Sequence, residues 1–311
     1  MPYTNAITAL LFALSAAAPN EKLQGRWDLT VETTAGRIPS WLEVEHSGFE
    51  TLVGRFVGQF GSARPVAHIT GNGDSLHFEI PRQWEQGTGM LVVDGKLEDG
   101  DHLSGRMVFP DGSTGKWTGV RAPLMHPATT SPQWSTPINL LHAEDLGGWH
   151  TIGDAANQWT VSGGVLRSPK SGANIATDAI FDDFKLHIEF RYPKESNSGV
   201  YLRGRHEVQI TDDFGTEADR HKLGAIYGFI EPNMMAARRA GEWQAYDITF
   251  IGRYVTVVAN GHTVISNQVI PGITGGALDS NESGPGPILL QGDHGPVEFR
   301  NIRITPRVSK R

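Results

Sequence analysis

The chain contains no cysteine, which excludes disulfide bonds, thiolate nucleophiles and cysteine-bound metals. Runs of basic residues are also lacking before the terminal Lys310-Arg311, and the formal net charge is −7. These features predict neither nucleic acid nor an anionic membrane as a partner. Long apolar runs are missing as well, because the segment from Ala6 to Ala18 is too short to span a bilayer. We therefore expect no membrane insertion of the mature chain.

The same apolar segment has another interpretation. It ends in an Ala-x-Ala pattern before Pro19, which is typical of a secretory signal cleaved after Ala18. No Lys or Arg precedes the apolar run, so an apolar N-terminal helix is the alternative. Residues 1–22 are predicted to be a signal peptide and leader, and the mature protein is predicted to be periplasmic or secreted.

Turns and short strands dominate the rest of the sequence, which has 37 glycines and 18 prolines. Residues 23–121 alternate short strand-like segments with turns such as Pro110-Asp-Gly-Ser113, and this predicts a small antiparallel β-barrel or sandwich. Gly25-Arg26-Trp27, together with Trp117 and Arg121, resembles the pattern of lipocalin-like barrels. Such a domain could hold a second ligand or a carbohydrate. The interpretation we favour is a scaffold whose tryptophans plug one end.

A second domain is predicted after a linker. Residues 122–137 are rich in Pro, Ser and Thr without periodicity. Residues 138–311 read as long strands with few helical segments, and Asn260-Gly261 marks a hairpin. The predicted fold class is therefore all-β, with a concanavalin-like jelly-roll sandwich following the small barrel.

The segment from Asn197 to Asp212 carries most of the functional information. Read as one strand, it places Val200, Leu202, Val208 and Ile210 on an apolar face. The opposite face is polar and would line a binding cleft. We expect its residues to bind substrate: Tyr201, Arg203, Arg205 and Gln209, with Glu207 as a catalytic candidate.

Other polar segments could complete this cleft. Phe184 to Tyr192 repeats the two-faced pattern, so Glu189 would join the cleft if this strand lies beside the first one; solvated cross-strand ion pairs are the alternative. Gln291, Asp293 and His294 follow a strand in a glycine-rich turn and could form a base or metal site, or only a local turn. Lys222 and Tyr227 could close one side. His206 falls on the apolar face and is expected to be structural.

Glu207-Val-Gln209-Ile-Thr-Asp212 is similar to the Glu-x-Asp-x-x-Glu signature of family 16 glycoside hydrolases, in which two carboxylates flank the glycosidic bond. Here Gln209 replaces the central carboxylate, and a carboxamide cannot relay a proton at neutral pH. A standard retaining glycosidase is therefore disfavoured.

Several segments, in order along the chain, resemble the 3-keto-disaccharide hydrolase domain family. They are Phe181-Asp-Asp-Phe-Lys-Leu-His-Ile-Glu-Phe-Arg191, Asn197-Ser-Gly-Val-Tyr-Leu-Arg-Gly204, Glu207-Val-Gln-Ile210, Gly224-Ala-Ile-Tyr-Gly228, Gly241-Glu-Trp-Gln-Ala-Tyr-Asp247 and Phe299-Arg-Asn-Ile302. The resemblance covers about residues 138–306 and implies a jelly roll that cleaves glycosides oxidised to a ketone at C3. His206 departs from it, because a tyrosine is usual at that position.

The implied chemistry requires one base and a stabiliser for an oxyanion. Glu207 or His294, the latter oriented by Asp293, would be the base. Arg203, Arg205 or a divalent cation held by Glu207, Asp293 and His294 would stabilise the oxyanion. Oxygen ligands suit Ca²⁺ or Mg²⁺, while the histidine leaves room for Zn²⁺ or Mn²⁺. No organic cofactor is expected. The alternative function is a non-catalytic glycan-binding module that uses the same groove.

Overall fold

The protein is described by a computed structural model that covers residues 21–48, 50–124, 132–142 and 144–308. The predicted signal segment and part of the predicted linker lie outside these residues. Within them, no helix has the length and apolar character needed to cross a membrane. The one helical element found there is a 3₁₀ turn at Glu21–Leu23, which leads into the first strand.

The first domain is a closed antiparallel barrel of eight strands in sequence order. The strands are β1 Gly25–Thr33, β2 Gly36–Ser47, β3 Thr51–Val57, β4 Arg64–Asn72, β5 Ser75–Pro81, β6 Met90–Leu97, β7 His102–Val108 and β8 Thr114–Arg121. Strand β8 pairs with β1, with Thr118 opposite Thr30, so the sheet has no free edge. The side chains of Leu76, Phe78 and Ile80 alternate inward along β5 and fill the interior.

One end of the barrel is plugged by Trp27. Its indole is fully buried, and the guanidinium of Arg121 lies 4.1 Å from the ring centroid. Arg121 also donates to the carbonyl of Gln24 at 2.7 Å, which ties the closing strand to the chain entry. Trp27 therefore closes this end of the barrel, and its cation–π contact with Arg121 stabilises the indole there.

The second domain is a sandwich of two antiparallel sheets. Its strands are β9 Ile138–Asn139, β10 Trp149–Ile152, β11 Thr160–Ser162, β12 Val165–Ser168, β13 Asn174–Thr177, β14 Phe184–Arg191, β15 Asn197–Leu202, β16 His206–Thr211, β17 Gln244–Ile251, β18 Tyr254–Ala259, β19 His262–Val269, β20 Leu289–Leu290 and β21 Val297–Pro306. One sheet has the order β10-β13-β20-β15-β16; the other has the order β11-β12-β21-β14-β17-β18-β19, with β9 on β21. The all-β prediction is confirmed.

The two sheets enclose the largest apolar core. Val200 and Val208 from the first sheet pack into one cluster with Leu186, Ile188 and Phe190 from the second. These residues alternate with polar ones along their strands, as expected for a sheet with one buried face. The predicted hairpin at Asn260-Gly261 is also confirmed, because both residues have positive φ between β18 and β19.

The barrel and the sandwich share an apolar contact. Trp41 and Val57 of the barrel cluster with Ile273 and Ala277 of the sandwich, and the Trp41 ring meets that of Phe229 edge to face at 5.5 Å. Backbone hydrogen bonds cross the same boundary, including that from the Gly276 N–H to the Gln59 carbonyl at 2.8 Å. The barrel is therefore packed directly against the segment around residue 275.

Candidate functional site

The segment predicted to be one strand is a hairpin. Arg203 and Gly204 both have positive φ, 52° and 68°. They lie at the centre of a turn in the three-residue loop between β15 and β16, and the Arg205 N–H closes it by donating to the Leu202 carbonyl at 3.1 Å. Such turns match the twist of the flanking strands. The prediction of one continuous strand over Asn197–Asp212 is wrong, because the turn chemistry of Arg203-Gly204 interrupts the alternation.

The two predicted faces are the same on both sides of the turn. Val200, Leu202, Val208 and Ile210 all lie in the sandwich core, as predicted. Tyr201 is paired with Glu207 across the hairpin, and both point away from that core. We call the surroundings of these side chains the Glu207 pocket, defined by Tyr201, Glu207, Tyr227, Asp293 and His294.

The Glu207 carboxyl is buried deep in this pocket, with 4% of the residue exposed. It occupies space above Gly199, where a Cβ atom would lie only 2.2 Å from the Glu207 Oε1. Any residue larger than glycine at position 199 would therefore displace the carboxyl. Burial raises the pKa of Glu207 to about 8, so this carboxyl holds a proton at neutral pH far more readily than an exposed one.

Tyr201 forms one wall of the pocket. Its hydroxyl donates to the Gly275 carbonyl at 2.9 Å. The phenol also lies beside the Glu207 carboxyl, and the hydrogen bond between these two side chains lowers the pKa of Glu207 against the larger effect of burial. Thr274, next in the chain to Gly275, accepts the Glu207 backbone N–H on its hydroxyl at 3.0 Å. This segment therefore holds both residues in place.

An acid–imidazole pair lies at the outer side of the pocket. The His294 Nδ1 and Asp293 Oδ1 atoms are 2.6 Å apart, and the His294 side chain is half exposed. This hydrogen bond raises the pKa of His294; the bond also lowers the pKa of Asp293, against the opposing effect of burial. The imidazolium lies near enough to Glu207 to lower the pKa of that carboxyl. The structure thus brings Glu207, Asp293 and His294 together.

Two amides border the same region. Gln291 donates its backbone N–H to the Gly199 carbonyl at 3.0 Å, and its side-chain oxygen is buried and has no hydrogen-bond partner among the described residues. Asn174 accepts the Gly292 N–H at 2.7 Å, and its amide lies 3.4 Å from the Asp293 carboxylate. Sequence reasoning missed Asn174, since the only signal was an isolated polar residue before the short apolar run of β13.

Tyr227 is the second phenol of the pocket. Burial raises its pKa, and the nearby Glu207 carboxylate adds to this effect. Its ring meets His221 edge to face, with centroids 5.4 Å apart. The predicted neighbours of Tyr227 have local roles: Lys222 donates to the Glu217 carbonyl at 2.8 Å, and Gln209 donates to the His221 carbonyl at 3.2 Å. Both side chains hold the loop that carries Tyr227.

The two predicted arginines are anchors. Arg203 is buried; it donates to the Asp182 carbonyl at 2.8 Å and stacks on Phe250, with 4.7 Å to the ring centroid. Arg205 binds the Asp279 carboxylate at 2.6 Å and the Gly284 carbonyl at 2.9 Å. The turn sends both guanidiniums towards neighbouring loops, where they hold the chain around the hairpin. Their predicted contact with substrate stays a prediction.

Glu189 lies on the other sheet. Strand β14 pairs with β17 and β21, so the expectation that it lies beside the Tyr201 strand is wrong. Glu189 accepts hydrogen bonds of 2.6 Å from Arg300 and from Asn301, and these lower its pKa against the effect of burial. This is the solvated ion-pair face that was the alternative interpretation. Periodicity cannot tell which sheet a strand joins, which is why the prediction failed.

His206 has a structural role, in agreement with its position on the apolar face. It is fully buried, donates from Nδ1 to the Gly272 carbonyl at 3.1 Å, and packs on Phe250. Burial lowers its pKa to about 3. The imidazole is therefore neutral at any physiological pH.

The three predicted metal ligands do not form a recognisable metal centre. Over residues 21–48, 50–124, 132–142 and 144–308, no three His, Asp or Glu side chains are grouped so that they could hold an ion. Asp293 is engaged by His294, and Glu207 is largely neutral at pH 7. These features fit proton transfer better than metal binding, and the reaction proposed for this pocket uses no cation.

The barrel supplies part of the support for this pocket. A Cβ on Gly275 would lie 2.2 Å from the Gly61 carbonyl oxygen, so the barrel backbone packs against the residue that accepts the Tyr201 hydroxyl. A Cβ on Gly228, next to Tyr227, would lie 2.5 Å from Ser62 in the same barrel segment. The backbones meet this closely only because glycine has no side chain.

Comparison with known protein families finds a match to the second domain. The sequence pattern of the 3-keto-alpha-glucoside-1,2-lyase-like domain matches residues 136–305, more than half of the chain. No curated protein sequence matches.

Among solved structures, a candidate glycosyl hydrolase from Parabacteroides distasonis is 30% identical, with a TM-score of 0.47 over 58% of this chain and 93% of that one. A second candidate glycosyl hydrolase from that organism is 25% identical, with a TM-score of 0.44 over 55% of this chain and 98% of that one. A carbohydrate-binding module of Bacillus subtilis is 16% identical, with a TM-score of 0.33 over 50% and 93% of the two chains.

Proposed function

The chain belongs to the 3-keto-alpha-glucoside-1,2-lyase-like family, and on that premise we propose that the Glu207 pocket cleaves 3-keto-glycosides by elimination across C1 and C2, followed by hydration. The observation that carries the proposal is the buried Glu207 carboxyl, with a pKa raised to about 8, beside the Asp293–His294 pair. A single tuned base with an adjacent acid is what this reaction needs.

The substrate ketone makes a single base sufficient. A carbonyl at C3 acidifies the C2 hydrogen, because the electron pair left at C2 is delocalised onto the C3 oxygen. A base with a pKa near the working pH is most effective for such a proton transfer. Glu207 meets this condition, since burial raises its pKa to about 8 and Gly199 leaves the carboxyl room.

The proposed reaction begins with a proton transfer. The Glu207 carboxylate takes the C2 proton of the substrate, and the electron pair left at C2 forms an enolate with the C3 carbonyl. The enolate then collapses to a C1–C2 double bond as the C1–O bond breaks, and the leaving oxygen takes a proton from the His294 imidazolium. Water adds across the double bond, with its hydroxyl to C1 and a proton returned to C2. The net result is hydrolysis of the glycosidic bond.

Asp293 and Tyr227 have supporting roles in this scheme. Asp293 orients His294 and favours its protonated form, through the 2.6 Å hydrogen bond that raises the pKa of the imidazole. Tyr227 lies beside Glu207, and its phenol stays protonated because burial raises its pKa. Its hydroxyl is therefore available to donate to the enolate oxygen, the role of an oxyanion stabiliser.

Turnover of 3-keto-trehalose in D₂O tests the proposal. We expect release of 3-keto-glucose and glucose, detected by NMR, with deuterium at C2 of the keto sugar. Unoxidised trehalose is the matched control and should not react, because its C2 hydrogen is not acidic. Enzyme-independent exchange is measured on 3-keto-glucose alone. Equal turnover of unoxidised trehalose would contradict the elimination, and binding without turnover would favour the glycan-binding module.

The divalent cation predicted from the sequence has a separate test. We propose that the reaction is retained after dialysis against EDTA, since the steps above use only side chains of the chain. Loss of turnover, restored by Ca²⁺, Mg²⁺, Mn²⁺ or Zn²⁺, would reinstate the cation as an oxyanion stabiliser.

We also propose export with cleavage after Ala18, on the Ala-x-Ala pattern alone. The measurement is the N-terminal sequence of the protein recovered from the periplasm or medium of a bacterium that expresses the full chain. A protein that is retained in the cytoplasm and starts at its first residues would contradict export.

A further inference from the structure

We propose that the open end of the barrel is a second binding site, for a neutral glycoside whose apolar aglycone enters the barrel. This end, which we call the barrel mouth, is defined by Phe56, Gln59, Phe60, Trp84, Gln86 and Met107. It encloses a cavity of about 440 Å³. Small-molecule sites typically measure a few hundred to about 1,000 Å³, so the cavity has the size for one or two rings. This proposal does not rest on the function proposed for the Glu207 pocket.

The floor of the barrel mouth is apolar. Val31, Phe56, Leu91 and Met107 line it, and all four belong to the packed core of the barrel. The interior below them is filled by other core side chains, and the opposite end is plugged by Trp27. A ligand can therefore enter only to the depth of this floor, and the part that reaches it must be apolar.

The rim of the barrel mouth presents aromatic side chains. Trp84 is 65% exposed and Phe60 is 57% exposed, and both line the cavity. Large aromatic side chains left in water at the edge of a cavity are typical of binding sites. An indole or phenyl face packs well on the flat C–H face of a pyranose or on an aryl ring.

The basic groups around the rim are already paired, which disfavours an anionic ligand. Glu85 binds Arg64 with a separation of 2.6 Å, and Arg37 lies 3.3 Å from Glu32. Asp111, which accepts the Ser113 hydroxyl at 2.6 Å, keeps its negative charge and would repel an anion.

Gln59 and Gln86 add carboxamides to the rim, and each carries a donor and an acceptor suited to hydroxyl groups. An apolar floor, an aromatic rim and neutral hydrogen-bonding groups together match a hydroxylated ring that carries an apolar substituent. A free sugar would leave the floor uncovered, and a simple hydrocarbon would leave the carboxamides unused. The chemistry therefore points to an aryl or alkyl glycoside.

Binding can be localised by NMR of the full chain labelled with ¹³C at the methionine methyls. Met107 lines the cavity, whereas Met234 lies in the sandwich and is 43% exposed. Titration with phenyl β-glucoside should shift the Met107 methyl in a saturable way and leave Met234 unchanged. Glucose and phenol are titrated separately, and each should bind at least about tenfold more weakly than the glycoside, since each meets only part of the site.

Two variants test the assignment. Trp84→Ala should raise the Kd for phenyl β-glucoside about tenfold or more, while Trp84→Phe, which keeps a ring, should retain most of the affinity. Ile38→Trp fills the cavity from its wall and should abolish the Met107 shift. Ile180→Ala, at an exposed position of the sandwich, is the control and should bind like the parent. No saturable shift at Met107, a shift insensitive to Trp84→Ala and Ile38→Trp, or equal affinity for phenol would each overturn the proposal.

Discussion

Two of the buried glutamates of this protein, Glu207 and Glu282, have pKa values raised by burial, yet their surroundings differ. Glu207 lies beside two phenols and beside the half-exposed His294. Glu282 has no exposed surface and lies between the domains, with the Arg253 guanidinium 2.6 Å away and Asp28 of the barrel beside it. The first carboxyl is buried among titratable neighbours, one of them half exposed, whereas the second is enclosed with a counter-charge.

This difference shows that a raised pKa does not by itself identify a catalytic group. Perturbed carboxyls occur in structural ion pairs as well as in active sites. Access and partners decide between the two: Glu282 is held by a fully buried arginine, while Glu207 has space that Gly199 leaves open. The variants below should separate the chemical role of one glutamate from the structural role of the other.

Glu207→Gln should have the largest effect on activity. The carboxamide keeps the shape but cannot accept the C2 proton, so kcat/KM for 3-keto-trehalose should fall by about 10²- to 10⁴-fold. Thermal stability should be unchanged or slightly raised, because a buried ionisable group is removed. Glu282→Gln is the matched control and should keep kcat per folded molecule. Equal turnover by the two variants would rule out Glu207 as the base.

Arg253→Met should have the largest effect on stability. It leaves Glu282 buried without the guanidinium 2.6 Å away, and breaking a buried pair from one side costs about 3–5 kcal/mol. Urea denaturation followed by tryptophan fluorescence measures the loss. The double variant Arg253→Met/Glu282→Leu should recover much of it, because the uncompensated carboxyl is gone. A single variant as stable as the parent would contradict the structural role.

Gly199→Ala tests the space above Glu207. Its methyl would lie 2.2 Å from the Glu207 Oε1, so the carboxyl must move and kcat/KM should fall by about 10²-fold. Gly100→Ala is the control, because nothing lies within 4 Å of a Cβ at that position. Full activity in both alanine variants would contradict the claim that kcat/KM depends on the position of the Glu207 carboxyl.

The pH dependence of the free energy of unfolding should report on Asp28, which lies between the barrel and the sandwich. Burial first, and then Glu282, raises the pKa of Asp28 from about 3.8 to about 8. The folded state therefore holds a proton that the unfolded chain releases, and the stabilisation is present at low pH and lost as pH rises through about 8. Between pH 5 and 8 Asp28 contributes at most about 1.4 kcal/mol per pH unit to the slope. Glu207 and Glu282, whose pKa values burial also raises, contribute in the same direction. Asp28→Asn should therefore reduce the slope without changing the pH profile of kcat; an unchanged slope would contradict the assignment.

The pH profile of activity should show the smallest effect. Since Glu207 must lose its proton and His294 must keep its own, kcat/KM should rise with pH as Glu207, with a pKa of about 8, ionises, and fall again as the His294 imidazolium loses its proton. His294→Gln should abolish the fall, slow the reaction and move the midpoint of the rise to higher pH, because the imidazolium lowers the pKa of Glu207. An unchanged pH profile in this variant would contradict the role of His294.

The sequence did not predict which β-strands pair with one another. The two faces of the Tyr201–Gln209 segment could be predicted, because side-chain alternation is a local property of extended chain. Its interruption at Arg203-Gly204 and the sheet to which Glu189 belongs could not, since both depend on which strands pair across the sandwich. Asn174 was missed for the same reason, because Gly292 and Asp293 reach it from far along the chain.

The amino-acid sequence by itself determined the all-β class and the core-facing residues of the hairpin, which follow from residue types and spacing within short segments. It also predicted Glu207, Asp293 and His294 as site residues, with roles implied by the family resemblance. Only the tertiary structure decided that Arg203 and Arg205 anchor loops, that Glu207 is buried above Gly199, and that the barrel backs the Tyr201 hydroxyl through Gly61 and Gly275. Burial and long-range contacts set the pKa and position of a catalytic group, and neither is encoded in any one segment.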